Sequence, residues 1–129
     1  MIYKNSKFIS DIFNNVSYKY DFFNNLFSLG FHFLWKRKLI SLLNPRNGEE
    51  WADLCCGTGD MTFLLNKFVT PKGKVFGIDI SEKLLKIAQK KSNKIGDKII
   101  YWKKKDIFDL DSKVRKFDGI CMSYGLRNL

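Results

Sequence analysis

The sequence has 129 residues, 45% of them hydrophobic, and a formal net charge of +10. That length accommodates one domain, and the apolar fraction suits a chain that buries a core rather than a disordered polymer. No stretch approaches the roughly 18 consecutive apolar residues that cross a bilayer, three cysteines do not make a disulfide framework, and with no CxxC pair and a single histidine the paired spacings of a zinc site are lacking.

The excess positive charge has three readings. Nineteen Lys against four Arg, alongside abundant Asn, Ile and Phe, point first to compositional bias. A peripheral contact with an anionic membrane surface comes second. Nucleic acid comes last and is not expected, because the lysines are spread along the chain. The first residues, Met1-Ile2-Tyr3-Lys4-Asn5, carry no apolar leader core or small-residue cleavage site, so a cytoplasmic or stromal protein is expected. Adjacent Cys55 and Cys56 and distant Cys121 read as buried thiols, and no metal is expected.

In chain order, Phe8, Ile9, Ile12, Phe13 and Val16 recur at helical spacing. Phe22, Phe23, Leu26, Phe27 and Leu29 continue an apolar surface to Gly30, a stop signal. A helix is predicted from Phe31 to Leu43, followed by a loop at Asn44-Pro45-Arg46-Asn47-Gly48. This leading segment, residues 1–47, is expected to serve the substrate side of a domain whose α/β core occupies 48–129. Its phenylalanines fit either core packing or a channel for an apolar tail.

After Gly48 the pattern alternates. Strands are predicted at Glu50–Cys55, Val75–Asp79, Ile99–Trp102 and Phe117–Met122. Helices are predicted at Met61–Phe68 and Glu82–Lys91, the second capped by Ser81. Such alternation builds a parallel sheet with right-handed crossovers, here in spatial order 3-2-1-4. A parallel sheet takes helices on both faces, and few elements remain to supply them, so the chain reads as cut short after its fourth strand.

The loop Asp53-Leu54-Cys55-Cys56-Gly57-Thr58-Gly59-Asp60 joins a strand to a helix. Glycines there admit a tight turn and close approach of a ligand. The loop lacks the G-x-G-x-x-G spacing of dinucleotide sites and the Lys of a P-loop. Asp79, about 20 residues further on, ends the second strand, where an acid accepts from a ribose diol. Alone, the glycines can be a plain turn and the acid a helix cap. Together, on strand ends, they point to a nucleoside-bearing ligand.

On these residues the sequence resembles the class I S-adenosylmethionine methyltransferases, with their Rossmann-like α/β fold. More narrowly, it is similar to the menaquinone, phylloquinone and ubiquinone C-methyltransferase family. The matching segments are Phe13-Asn14-Asn15-Val16 with Tyr20-Asp21 and Asn24; Leu29-Gly30 with His32 and Trp35-Lys36-Arg37; Asp53 to Asp60; and Tyr124-Gly125-Leu126-Arg127-Asn128. The double cysteine and the last segment look most like the cyanobacterial and plastid branch, which methylates demethylphylloquinol. Family members extend through further strands beyond this length.

The resemblance implies S-adenosylmethionine as cofactor, with Gly57 and Thr58 at its methionine part, Asp79 at the ribose hydroxyls, and Asp53, Gly59, Asp60 and Ile80 also among the cofactor-binding positions. Asp106 and Ile107 would flank the adenine, and Ser123 would sit at the end of the fourth strand. It implies a prenylated quinol as acceptor, with Arg127 and Asn128 beside it and Tyr20, Asp21 and His32 as weaker candidates. Asp106 and Ser123 can equally be a solvated loop acid and a hydroxyl bonded to backbone, and His32 can simply pack. Two alternatives stay open: a remnant that binds cofactor without turnover, and a methyltransferase acting on a benzoquinol or on nucleic acid.

Overall fold

The computed structural model describes residues 31–96, 100–110 and 116–123, and the side chains from Leu34 onward. Tyr20, Asp21, Arg127 and Asn128 lie outside the described residues, as do the two helical stretches expected before Gly30. His32 lies in a described helix. The elements run α1 (Phe31–Leu43), β1 (Glu50–Leu54), α2 (Asp60–Val69), β2 (Lys74–Asp79), α3 (Glu82–Ile95), β3 (Ile100–Lys104), a 3-10 turn (Ile107–Asp109) and β4 (Gly119–Met122).

The four strands form one parallel sheet in the order β3-β2-β1-β4, as the alternation predicts. Register decides which side chains share a face. Trp51 aligns with Val75, Ile100 and Gly119, and Asp53 with Gly77 and Cys121. Because side chains alternate along a strand, these residues form one face. Helices α1 and α2 cover it: Ile40, Trp51, Met61, Leu65, Val69, Val75 and Cys121 make one buried cluster. The other face carries Phe76 stacked on Tyr101, with ring centroids 4.9 Å apart, and leaves Tyr101 and Ile120 exposed.

Three element ends differ from the sequence expectation by two residues or more, and the others by one at most. Helix α3 runs past Lys91 to Ile95 because Gly96, at φ +78°, supplies the left-handed cap and donates its N–H to Ser92 O. The intervening Ser92 and Asn93 are poor helix formers, which hid that extension. Strand β3 reaches Lys104 because it is an outer strand, where exposed lysines are tolerated. Strand β4 begins at Gly119 rather than Phe117. Ser81 caps α3 as predicted, accepting from Leu84 N.

Candidate functional site

The site is built where β1 and β2 end side by side. The chain leaves β1 through Cys55, which holds φ +55°, then Gly57 at φ +57° and Gly59 at φ +88°. Cys56 N donates to Ile78 O at 3.1 Å, tying the loop to β2, and Gly59 N donates to Cys56 O at 2.9 Å, closing the turn. A Cβ added at Gly57 would meet nothing within 4 Å among the described residues, so this glycine, whose φ favours it, leaves an open approach to the backbone. Gly59 is different: a Cβ there would stand 2.5 Å from the Trp102 ring, so it serves packing as well as the turn.

Asp79 closes the other side. Its carboxylate accepts from Gly57 N and from Ser81 N, each at 2.8 Å. One side chain thus fixes the glycine loop to the start of α3. Burial pushes its pKa up, and the bonds from the backbone of Ser81 and Gly57 oppose that rise. Ile80 is half-buried beside it. Asp106 caps the 3-10 turn after β3, accepting from Phe108 N at 3.0 Å, and Ile107 and Ser123 are half-buried. Ser123 lies one residue past β4, whose Met122 aligns with Leu54 at the loop entrance.

The acids at the two ends of the loop turn away from this opening. Asp53 is 1% exposed. Its carboxylate takes the Thr62 hydroxyl at 2.6 Å and the Cys121 thiol at 3.4 Å. Asp60 pairs with Lys36 of α1 at 3.0 Å and with Lys91 of α3 at 3.5 Å. Burial disfavours its ionisation, but the two ammonium groups outweigh that and its pKa is lowered. Lys91 also donates to Thr58 Oγ1 at 3.1 Å and to Thr58 O at 3.5 Å. A cavity of about 490 Å³ on the outer side of α2 is lined by Lys36, Asp60, Phe63 and Lys91 among others, so it belongs to this ion cluster and not to the Gly57–Asp79 opening.

The sequence reading missed Lys36, Lys91 and Trp102. For Lys36 a signal existed: it sits four residues before Ile40 and seven before Leu43, a charge on the apolar stripe of α1. The loop thiols are disfavoured as thiolates. Burial first, then the Asp79 charge, pushes Cys55 up to about 11, and burial first, then the Asp53 charge, holds Cys56 well above its ordinary value. Among the described residues no group of three or more His, Cys, Asp or Glu is placed to hold a metal, and no helix is long and apolar enough to cross a membrane.

A model of the ubiE/COQ5 methyltransferase family matches residues 1–129. The ubiquinone/menaquinone biosynthesis C-methyltransferase of Wigglesworthia glossinidia brevipalpis is 39% identical over 126 residues, which are 97% of this chain and 50% of that protein. The 2-phytyl-1,4-naphtoquinone methyltransferase of Synechococcus elongatus is 36% identical over 122 residues, 94% of this chain and 52% of that one. A solved SAM-dependent methyltransferase from Aquifex aeolicus superposes with a TM-score of 0.66 at 28% identity, covering 73% of this chain and 50% of that one. The chain spans about half the length of these curated relatives.

Proposed function

This chain belongs to the ubiE/COQ5 methyltransferase family, and we propose on that premise that it binds S-adenosylmethionine at the β1–β2 strand ends for C-methylation of a prenylated quinol. The observation that carries the reading is the Asp79 carboxylate, held 2.8 Å from Gly57 N at the end of β2. The fit is chemical: a fixed acid with lone pairs left for a diol stands beside a glycine whose Cα faces open space. The cofactor supplies an activated methyl group on its sulfonium.

In this reading Asp79 and Ile80 hold the ribose and Gly57 gives the methionine part access to backbone. One oxygen of Asp106 caps the 3-10 turn and the other takes the exocyclic amine of adenine, with Ile107 against the ring. Ser123 borders the cofactor from β4. The acceptor is a demethylnaphthoquinol with an isoprenoid tail, of demethylphylloquinol or demethylmenaquinol type. Arg127 and Asn128 are the first candidates to act on it, with Tyr20, Asp21 and His32 of the leading segment as further candidates. A base within about 3 Å of a quinol hydroxyl raises electron density at the ring carbon, and a guanidinium stabilises the resulting oxyanion. A cytoplasmic or stromal site at a membrane surface belongs to the same reading.

Calorimetric titration of S-adenosylhomocysteine tests it. Asp79→Ala is expected to weaken binding by about 1–3 kcal/mol, the range for losing the partner of a buried polar group. Unchanged affinity in a folded variant would place the ribose elsewhere.

A further inference from the structure

We propose that Lys91, with Lys36, is a positioning residue for the cofactor loop, acting through Thr58 and Asp60. The inference rests on the reading of that loop as the cofactor site and goes beyond it, because neither lysine belongs to the loop.

Thr58 stands between the two glycines, yet it is 4% exposed, so its hydroxyl is not presented to the solvent. Lys91 engages it from α3. An ammonium has three N–H donors, and three acceptors surround this one: Thr58 Oγ1 at 3.1 Å, Thr58 O at 3.5 Å and Asp60 Oδ1 at 3.5 Å. The bond to the Thr58 carbonyl orients the peptide plane leading into Gly59, whose φ of +88° is the largest positive value in the loop. Asp60 then passes the constraint on. Its second oxygen takes Lys36 at 3.0 Å, from a helix 24 residues earlier.

Lys36 is 9% exposed, and a lysine is rarely so buried unless paired. Asp60 therefore couples α1 to the loop. Glycines cost backbone entropy when ordered, and two cations on separate helices offset that cost at the positions where it is greatest.

Calorimetry with S-adenosylhomocysteine on the whole chain tests this, using Lys91→Met, Lys91→Arg, Lys36→Met, Thr58→Val and the Lys91→Met/Thr58→Val double variant. Methionine keeps the apolar stem and removes the donors. Lys91→Met is expected to weaken binding about tenfold, as for loss of hydrogen bonds from a charged group. Lys36→Met weakens it less, and Lys91→Arg restores most of the loss. The double variant is expected to bind no worse than the weaker single one, since the Lys91–Thr58 Oγ1 contact that Thr58→Val removes is one of those that Lys91→Met removes.

Hydrogen exchange at the Thr58 and Gly59 amides, measured without ligand, is expected to accelerate in Lys91→Met. Should that variant fail to fold, Lys91→Arg and Thr58→Val carry the same comparison. Unchanged affinity, or losses that multiply between Lys91→Met and Thr58→Val, would overturn the proposal. A folded parent chain that does not bind S-adenosylhomocysteine would overturn the cofactor reading instead, while the exchange arm still decides whether the lysines hold the loop.

Discussion

Asp53 shows how one residue carries opposing demands. Burial raises its pKa from 3.8 to about 6, and the bonds from Thr62 and Cys121 and the charge of Lys36 only partly oppose it. The folded chain therefore binds more protons at this site than the unfolded chain between about pH 4 and 6. Its contribution to stability falls as pH rises through that window. A shift of about two units corresponds to roughly 3 kcal/mol at most. Asp53→Asn keeps an acceptor for Thr62 and removes the charge. Its urea midpoint is expected to vary less with pH between 4 and 6 than that of the parent, and to equal or exceed the parent's at pH 7. Parallel pH profiles for the two proteins would assign the titration to another group. The sequence motif made this acid legible as a strand-end residue, but not its partners. Cys121 lies 68 positions away, and only the β1–β4 register brings it near. The partners of Lys36 and Lys91 were hidden for the same reason, since ion pairs between helices follow from packing and have no fixed spacing; only the place of Lys36 on the apolar stripe of α1 was legible.

Elements were more legible than contacts. Loop glycines, the Ser81 cap and the short apolar runs have local causes, so the order of strands and helices followed from the sequence. What did not follow was the crossing of elements at Trp102. This β3 ring lies over Gly77 of β2, where an added Cβ would meet ring carbons at 2.5 Å and Cys56 Sγ at 3.2 Å. It also meets Phe63 of α2 edge-on, with centroids 5.6 Å apart. A glycine in a central strand looks like a weakness, yet here it makes room for an indole. Gly77→Ala is expected to destabilise the fold by about 1–3 kcal/mol through overpacking. Adding Trp102→Leu to that variant should recover part of the loss, because the smaller side chain vacates the space. A Gly77→Ala midpoint equal to the parent's in chemical denaturation would show that the strands can shift apart at no cost.

For the whole molecule, the described helices cover one face of the sheet, and Tyr101 and Ile120 stand exposed on the other. Strand β4 pairs with β1 and ends the sheet order, and Ile120 on it is 56% exposed. A parallel strand with no neighbour on its far side among the described residues, beside an exposed isoleucine, is a site for further pairing. The chain also spans about half of its curated relatives. The 129 residues alone are therefore expected to bind S-adenosylhomocysteine but to transfer no radiolabelled methyl group to demethylphylloquinol or demethylmenaquinol. Turnover near that of a chain extended to the length of its relatives would show that the described half is sufficient.

The placement of the three tryptophans has an optical consequence. Trp35 is 70% exposed, whereas Trp51 is 5% exposed at the β1–β4 seam, against Gly119. Trp102 touches the glycine loop through Gly59, and its indole nitrogen is buried without an acceptor among the described residues. Emission from the three rings therefore separates by environment. Trp35 supplies a solvent-quenched background, Trp51 reports the integrity of the sheet, and Trp102 is a native fluorophore set against the loop itself, able to register its movement without any added label.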